Sequence, residues 1–82
     1  MNSIQTVLNM GSKFLKENSI SSYQIDAELL LSKVLNKSRE YLFFNNNQNL
    51  SGDLLFQFNV LLNRRKLKEP IAYILNQKEF WK

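Results

Sequence analysis

The chain contains few residues that interrupt a helix. Among its 82 residues there are only 2 Gly and 1 Pro, and apolar residues recur close to the helical period almost throughout. A chain of this length allows one domain and not two. The pattern therefore predicts an all-α fold, a small bundle of about five helices.

The first helix is predicted to begin near Asn2 or Ser3, because either side chain can cap exposed backbone amides. Its apolar face consists of Ile4, Val7, Leu8, Phe14 and Leu15. Gly11 lies on the same face, where a glycine costs about 1 kcal/mol relative to alanine. Two interpretations stay open: Gly11 admits a close neighbouring helix, or a glycine is merely tolerated there.

Residues 23–36 are predicted to form the second helix, which should be the central element of the bundle. In the connector before it, Ser21 and Gln24 have the spacing of a capping box. Ser38 is predicted to cap a short third helix over residues 39–43. The aromatic residues of that helix are expected to plug one end of the bundle.

The Asn-rich run at residues 45–49 is predicted to be a loop. A fourth helix should start at Ser51 and reach about residue 67, with a basic last turn that suits the helix dipole. Pro70 is well placed as the first residue of a fifth, short helix that Asn76 can end. Four phenylalanines are interpreted as core rather than as stacking platforms: Phe43, Phe44, Phe56 and Phe58.

Composition excludes several kinds of chemistry. With 0 Cys and 0 His, the chain has no disulfides, lacks the usual zinc ligands and lacks the commonest general base. The net charge of +4 is a mild bias towards acidic partners. No stretch approaches the length of a membrane span and no leader pattern is evident, so we expect a cytoplasmic protein with no membrane partner.

No catalytic constellation is evident either. Asp26 and Glu28 are two residues apart on a helix, so they cannot point at one substrate as a carboxylate pair. Asp26 either turns inward and accepts hydrogen bonds from the connector or lies exposed near the start of its helix. Neither glycine belongs to a phosphate-binding loop. Tyr73 is interpreted as a packing residue with a solvated hydroxyl.

A basic cluster lies at the end of the fourth helix and consists of Arg64, Arg65, Lys66 and Lys68. Three interpretations stay open. The cluster is a solvated helix end with one arginine paired to Glu69, a contact surface for a protein partner, or a phosphate contact for RNA.

One long string and its neighbourhood resemble a known family. The string RRKLKEPIAYIL at residues 64–75, followed by KEFW at 78–81, is similar to the end of the N-terminal domain in the HemK/PrmC family. The segments DAELLL at 26–31 and NKSREYL at 36–42 resemble that family's second and third helices. Members are S-adenosylmethionine-dependent methyltransferases of peptide chain release factors. Asn76 departs from the pattern, because relatives usually have glycine there.

The resemblance implies that residues 1–76 form a helical substrate-recognition domain. Residues 77–82 would begin a β-hairpin linker to a Rossmann-like methyltransferase domain, and Phe80 with Trp81 at the end of the chain fits a chain interrupted in that linker. The full-length enzyme would methylate the side-chain amide of a release factor glutamine. S-adenosylmethionine would bind to the second domain and not to this chain. Candidate contacts to the release factor or to that domain are Arg64, Arg65, Glu69, Tyr73, Phe80 and Trp81.

Two alternatives from other classes stay open. An RNA-binding helical module would lose affinity steeply with salt. A purely structural cap would stabilise a methyltransferase domain without changing its kinetics.

Overall fold

The computed structural model describes residues 2–76 and confirms an all-α bundle of five helices. The helices are α1 (Ile4–Glu17), α2 (Tyr23–Leu35), α3 (Arg39–Phe44), α4 (Gly52–Lys66) and α5 (Ile71–Asn76). Between residues 2 and 76 the structure has no strand, only an isolated bridge between Ser3 and Asn49. The predicted hairpin linker, with Phe80 and Trp81, lies outside the described residues.

Serine side chains cap three of the helices: Ser38 and Ser51 as the sequence predicts, and Ser3 rather than Asn2 at the start of α1. The hydroxyls of Ser3, Ser38 and Ser51 each accept a hydrogen bond from the backbone amide three residues later, at 3.2–3.3 Å. Each of these bonds satisfies an amide that has no partner inside its helix.

The capping box predicted at Ser21 and Gln24 is wrong. The cap of α2 is Ser22, whose side chain makes no capping bond. Its φ of −90° and ψ of 33° depart from the extended backbone of the other three serine caps. Its hydroxyl donates instead to Oδ2 of Asp26 at 2.9 Å.

The Asn-rich segment is a loop, as predicted, and it supports the start of α1. The backbone amides of Ile4 and Gln5 donate to the carbonyl oxygens of Gln48 and Asn46, at 2.9 and 3.0 Å. The amide of Leu50 donates to the carbonyl of Asn2 at 2.8 Å. The loop thus supplies acceptors for first-turn amides that α1 cannot satisfy itself.

Helix α2 is the central element, because it packs against all four other helices. The core lies among α1, α2 and α4, with single buried side chains contributed by α3 and α5. Its fully buried side chains include Ile4, Leu15, Leu30, Leu31, Leu42, Leu61 and Ile74.

The prediction that the phenylalanines are core is right for one and wrong for three. Phe58 is 2% exposed, whereas Phe43, Phe44 and Phe56 are 54%, 87% and 65% exposed. Helix α3 has only six residues, so it turns a single side chain, Leu42, fully into the core. The expected aromatic plug at one end of the bundle is therefore absent from the described residues.

Gly11 admits a close neighbouring helix, which settles the two interpretations in favour of packing. A Cβ atom at this position would lie 2.7 and 2.9 Å from two ring carbons of Phe58 in α4. Gly52, at the start of α4, has open space in the same place.

We expect Gly11→Ala to destabilise the chain although alanine favours helices. Overlap with the buried Phe58 ring costs about 1–3 kcal/mol, and alanine returns about 1 kcal/mol of helix propensity. Urea unfolding followed by circular dichroism should therefore show a net loss of about 1 kcal/mol. Gly52→Ala is the matched control, with no expected loss. Equal effects of the two substitutions would contradict close packing at Gly11.

Candidate functional site

The basic cluster at the end of α4 is tied into the fold. Nε of Arg64 donates to Oε1 of Glu69 at 2.6 Å, and Nη2 donates to Oε2 at 3.2 Å. This two-pronged geometry is the strong form of an arginine–carboxylate pair. The hydrogen bonds from Arg64 lower the pKa of the Glu69 carboxyl below its ordinary value of 4.5; partial burial opposes the shift, and the charge of Arg64 adds to it.

Arg65 reaches back to the start of α2. Its Nε donates to Oδ2 of Asp26 at 2.9 Å, across 39 positions of sequence. Its Nη1 also donates to the backbone carbonyl of Glu69 at 2.9 Å. The Asp26 side chain is 3% exposed and that of Arg65 17% exposed, so this ion pair is largely removed from water. Asp26 thus turns inward and also accepts the connector hydroxyl of Ser22.

Lys68 joins the same region to the connector between α1 and α2. Its Nζ donates to the backbone carbonyls of Asn18 at 2.9 Å and Ser19 at 3.4 Å. The backbone of Lys68 has a φ of 74°, in the left-handed region that non-glycine residues rarely adopt. We call the set Asp26, Arg64, Arg65, Lys68 and Glu69 the α4–α5 clasp.

Helix α5 follows the clasp and is held by α2 and α4. Ile74 is fully buried, and Nζ of Lys33 in α2 donates to the backbone carbonyl of Leu75 at 3.1 Å. A cation at this end of a helix is favoured by the helix dipole. Tyr73 has 56% of its surface exposed, so most of its side chain lies outside the core.

The two carboxylates of α2 face different arginines, which confirms that they do not form a pair. Oε1 of Glu28 accepts two hydrogen bonds from Arg39 in α3, at 2.7 and 3.1 Å. The sequence reasoning missed this ion pair and the one between Asp26 and Arg65. Both join residues of different helices, and no short-range spacing signals them.

An apolar groove of about 420 Å³ runs between α1 and α4. Its lining includes Met10, Gly11 and Phe14 from α1 and Leu55, Phe58 and Leu62 from α4. Lys66 is close to it, with Nζ 5.7 Å from the ring centre of Phe14. Of the lining residues, Met10 is exposed, whereas Phe58 and Leu62 are buried.

Across residues 2–76 the structure offers no group of three or more acidic side chains that could hold a metal ion. The same residues include no helix long and apolar enough to cross a membrane. Most of the charged groups described above instead connect one helix to another. These features define a small helical-bundle domain with an exposed apolar groove and a polar clasp beside its last helix.

The family assignment follows from comparison with known proteins. A family model described as the PrmC N-terminal domain matches residues 6–75. The chain therefore belongs to the PrmC N-terminal domain family, which confirms the resemblance seen in the sequence.

Curated relatives match nearly the whole chain. A release factor glutamine methyltransferase of Buchnera aphidicola is 46% identical over 95% of the chain, and one of Clostridium botulinum is 42% identical over 94%. A bifunctional methyltransferase of Rickettsia felis is 44% identical over 96% of the chain. The chain spans only 28%, 27% and 15% of these three proteins, respectively. No solved structure matches the chain significantly.

Proposed function

We propose that this chain is the partner-binding and positioning domain of a release factor glutamine methyltransferase. The observation that carries the proposal is the match of nearly the whole chain to proteins with that name, together with the family model described as the PrmC N-terminal domain. The full-length enzyme would transfer a methyl group to the side-chain amide of a glutamine in a peptide chain release factor. Residues 1–76 would form the recognition domain, and residues 77–82 would begin the linker to the catalytic domain.

S-adenosylmethionine would supply the methyl group from a site in the rest of the protein. The two glycines of the described residues give no support to a site for this cofactor in the bundle: Gly11 is covered by Phe58, and Gly52 lies in the first turn of α4. Neither glycine therefore forms a loop that could accept a nucleoside. The contribution of the bundle is to hold the release factor in place.

Holding a remote surface of the substrate is a physically sound way to accelerate this reaction. An acceptor amide in a flexible loop meets the methyl donor rarely unless the rest of the substrate is held at a fixed distance. Binding energy from the bundle would thus be used for orientation at the reacting atoms. Among the candidate contacts, we propose that Tyr73, Phe80 and Trp81 face the catalytic domain.

The roles of the clasp residues in this proposal differ from those of free surface cations. Arg64 and Glu69 are bound to each other, and Arg65 is bound to Asp26. We therefore propose that Arg64, Arg65 and Glu69 act mainly by shaping the junction with the catalytic domain. The release factor would contact other exposed faces of the bundle.

Two substrates distinguish the proposal from its alternatives. We expect removal of residues 1–76 from the full-length enzyme to lower kcat/KM on intact release factor about 100-fold. On a short peptide with the acceptor glutamine, kcat/KM should change little, because the peptide does not use the bundle. The measurement is methyl transfer from labelled S-adenosylmethionine, with circular dichroism confirming that the shortened enzyme is folded.

Other outcomes would favour the other classes. A lower melting temperature with unchanged kinetics on both substrates would indicate a purely structural cap. Tight, strongly salt-dependent binding of RNA by the bundle would indicate an RNA-binding module. The clasp supports the protein-partner proposal over the RNA-binding alternative. Two of the four clustered cations are paired with carboxylates within the bundle, so fewer positive charges are left to bind phosphates.

A further inference from the structure

We infer that Arg65 and Asp26 are positioning residues that set the direction in which the chain leaves the bundle. Through that direction they would set the distance between the bound release factor and the methyl donor. The inference rests on the proposed function and goes beyond it, because it assigns the positioning to one ion pair inside the bundle.

The first reason is the connection between α4 and α5. Only residues 67–70 separate the two helices, and Lys68 holds a left-handed backbone within them. Such a conformation is costly for a lysine and persists only where its surroundings hold it. Lys68 itself bonds the α1–α2 connector through its side chain, so the turn is attached to the bundle at its strained residue.

The second reason is that Arg65 joins three parts of the chain at once. It belongs to α4, its Nε bonds the Asp26 carboxylate of α2, and its Nη1 bonds the carbonyl of Glu69 just before α5. A guanidinium holds its donors in a rigid plane, so two such bonds fix direction as well as distance. Arg64 donates a hydrogen bond to the side chain of the same Glu69, which attaches this residue to α4 a second time.

The third reason is that α5 is too short to orient itself. A helix of six residues has little stability of its own. The buried Ile74 holds α5 against the core. Apolar packing is not directional, however, so this contact alone leaves the orientation of the α5 axis less defined. Directional bonds at both ends, from Arg65 to Glu69 and from Lys33 to Leu75, define its axis.

A buried ion pair of this kind is better explained by geometry than by stability. Replacing such a pair with well-packed apolar residues is often neutral or stabilising, so the charges are not needed merely to hold the fold together. The Arg39–Glu28 pair offers the matched comparison. It joins α3 to the same helix α2, and both of its hydrogen bonds run between those two helices, not to the α4–α5 turn.

The test uses the full-length enzyme with two spin labels and a distance measurement between them by pulsed electron resonance. Because this chain has no cysteine, Asn9→Cys on the exposed side of α1 provides one unique site. The second label is placed on the catalytic domain, in a background without other cysteines. We expect Arg65→Gln and Asp26→Asn to broaden the distance distribution, and Arg39→Gln to leave it unchanged.

Kinetics supply the second readout. Arg65→Gln is expected to lower kcat on intact release factor about tenfold with little change in KM, because binding survives while alignment is lost. The short acceptor peptide should be methylated at the wild-type rate. A substitution that merely weakened the bundle would not separate kcat from KM in this way in protein that circular dichroism shows to be folded.

The inference is overturned if Arg65→Gln matches Arg39→Gln in both distance distribution and kcat. Should Arg65→Gln not fold, Asp26→Asn takes its place in the comparison, and a distance distribution and kcat equal to those of Arg39→Gln overturn the inference equally. Failure of the proposed function looks different. In that case removal of the bundle leaves release factor methylation intact, whatever the spin labels report.

Discussion

Replacement of Phe58 by alanine is expected to lower the free energy of unfolding of this chain by about 3–5 kcal/mol. The ring is 2% exposed, and it lies directly over Gly11 in the contact between α1 and α4. Its removal forfeits the burial of a large apolar group. Because Gly11 has no side chain to move into the space, the site cannot collapse to fill the cavity.

A loss of this size is a large part of the total free energy of unfolding expected for the chain. Native domains have about 0.05–0.15 kcal/mol of stability per residue, which for a chain of this length is about 4–12 kcal/mol. Urea unfolding followed by helical circular dichroism at 25 °C measures the change. We expect the midpoint to fall far below that of the wild type, or the native baseline to disappear.

Phe56→Ala is the matched control for this prediction. It removes the same side chain from the same helix, but from a position that is 65% exposed. The expected change is within about 0.5 kcal/mol of zero. Equal losses in the two variants would contradict the placement of α4 against α1.

The second large effect is expected at the buried ion pair of the clasp. Arg65→Met should cost about 3 kcal/mol, because it leaves the Asp26 carboxylate buried without its charged partner. The hydroxyl of Ser22 still donates a hydrogen bond to the Asp26 carboxylate in that variant, but a neutral hydroxyl cannot replace the charge of the guanidinium. The same urea unfolding experiment measures the loss.

Removal of both charges distinguishes an unpaired carboxylate from lost packing. The double variant Asp26→Leu with Arg65→Met should recover to within about 1 kcal/mol of the wild type, because no buried charge remains. Arg39→Met should cost only about 1 kcal/mol, since the Arg39 side chain is 41% exposed and its pair is partly hydrated. If the double variant is as unstable as Arg65→Met, the cost lies in the shape of the arginine and not in the charge of Asp26.

Several features of the fold could be predicted because they depend on near neighbours in the chain. The serine caps at Ser3, Ser38 and Ser51 are recognisable from the apolar pattern that follows each of them. The predicted capping box was wrong because the cap of α2 is the next serine, Ser22, whose hydroxyl bonds the Asp26 carboxylate and not a backbone amide. The spacing of Ser21 and Gln24 does not indicate where the Asp26 carboxylate lies, because Arg65 of α4 also holds it.

The candidate site was predicted less completely, for a similar reason. Pairing between an arginine and Glu69 was one of the open interpretations. The arginine that makes this pair is Arg64, only five positions before Glu69. The exposed phenylalanines were misread because hydrophobicity indicates burial only on average. In a helix as short as α3 there is room for few inward positions, and the neighbouring helix decides which residue takes them.

By itself, the amino-acid sequence determined the helices, several of their caps, most of their apolar faces and the family. These depend on bonds and spacings within about four residues, or on a long matching string. Only the tertiary structure decided that Asp26 meets Arg65, that Glu28 meets Arg39 and that Gly11 lies under Phe58. Such pairings depend on how whole helices cross in space, and crossing is a property of the packed core and not of any one segment.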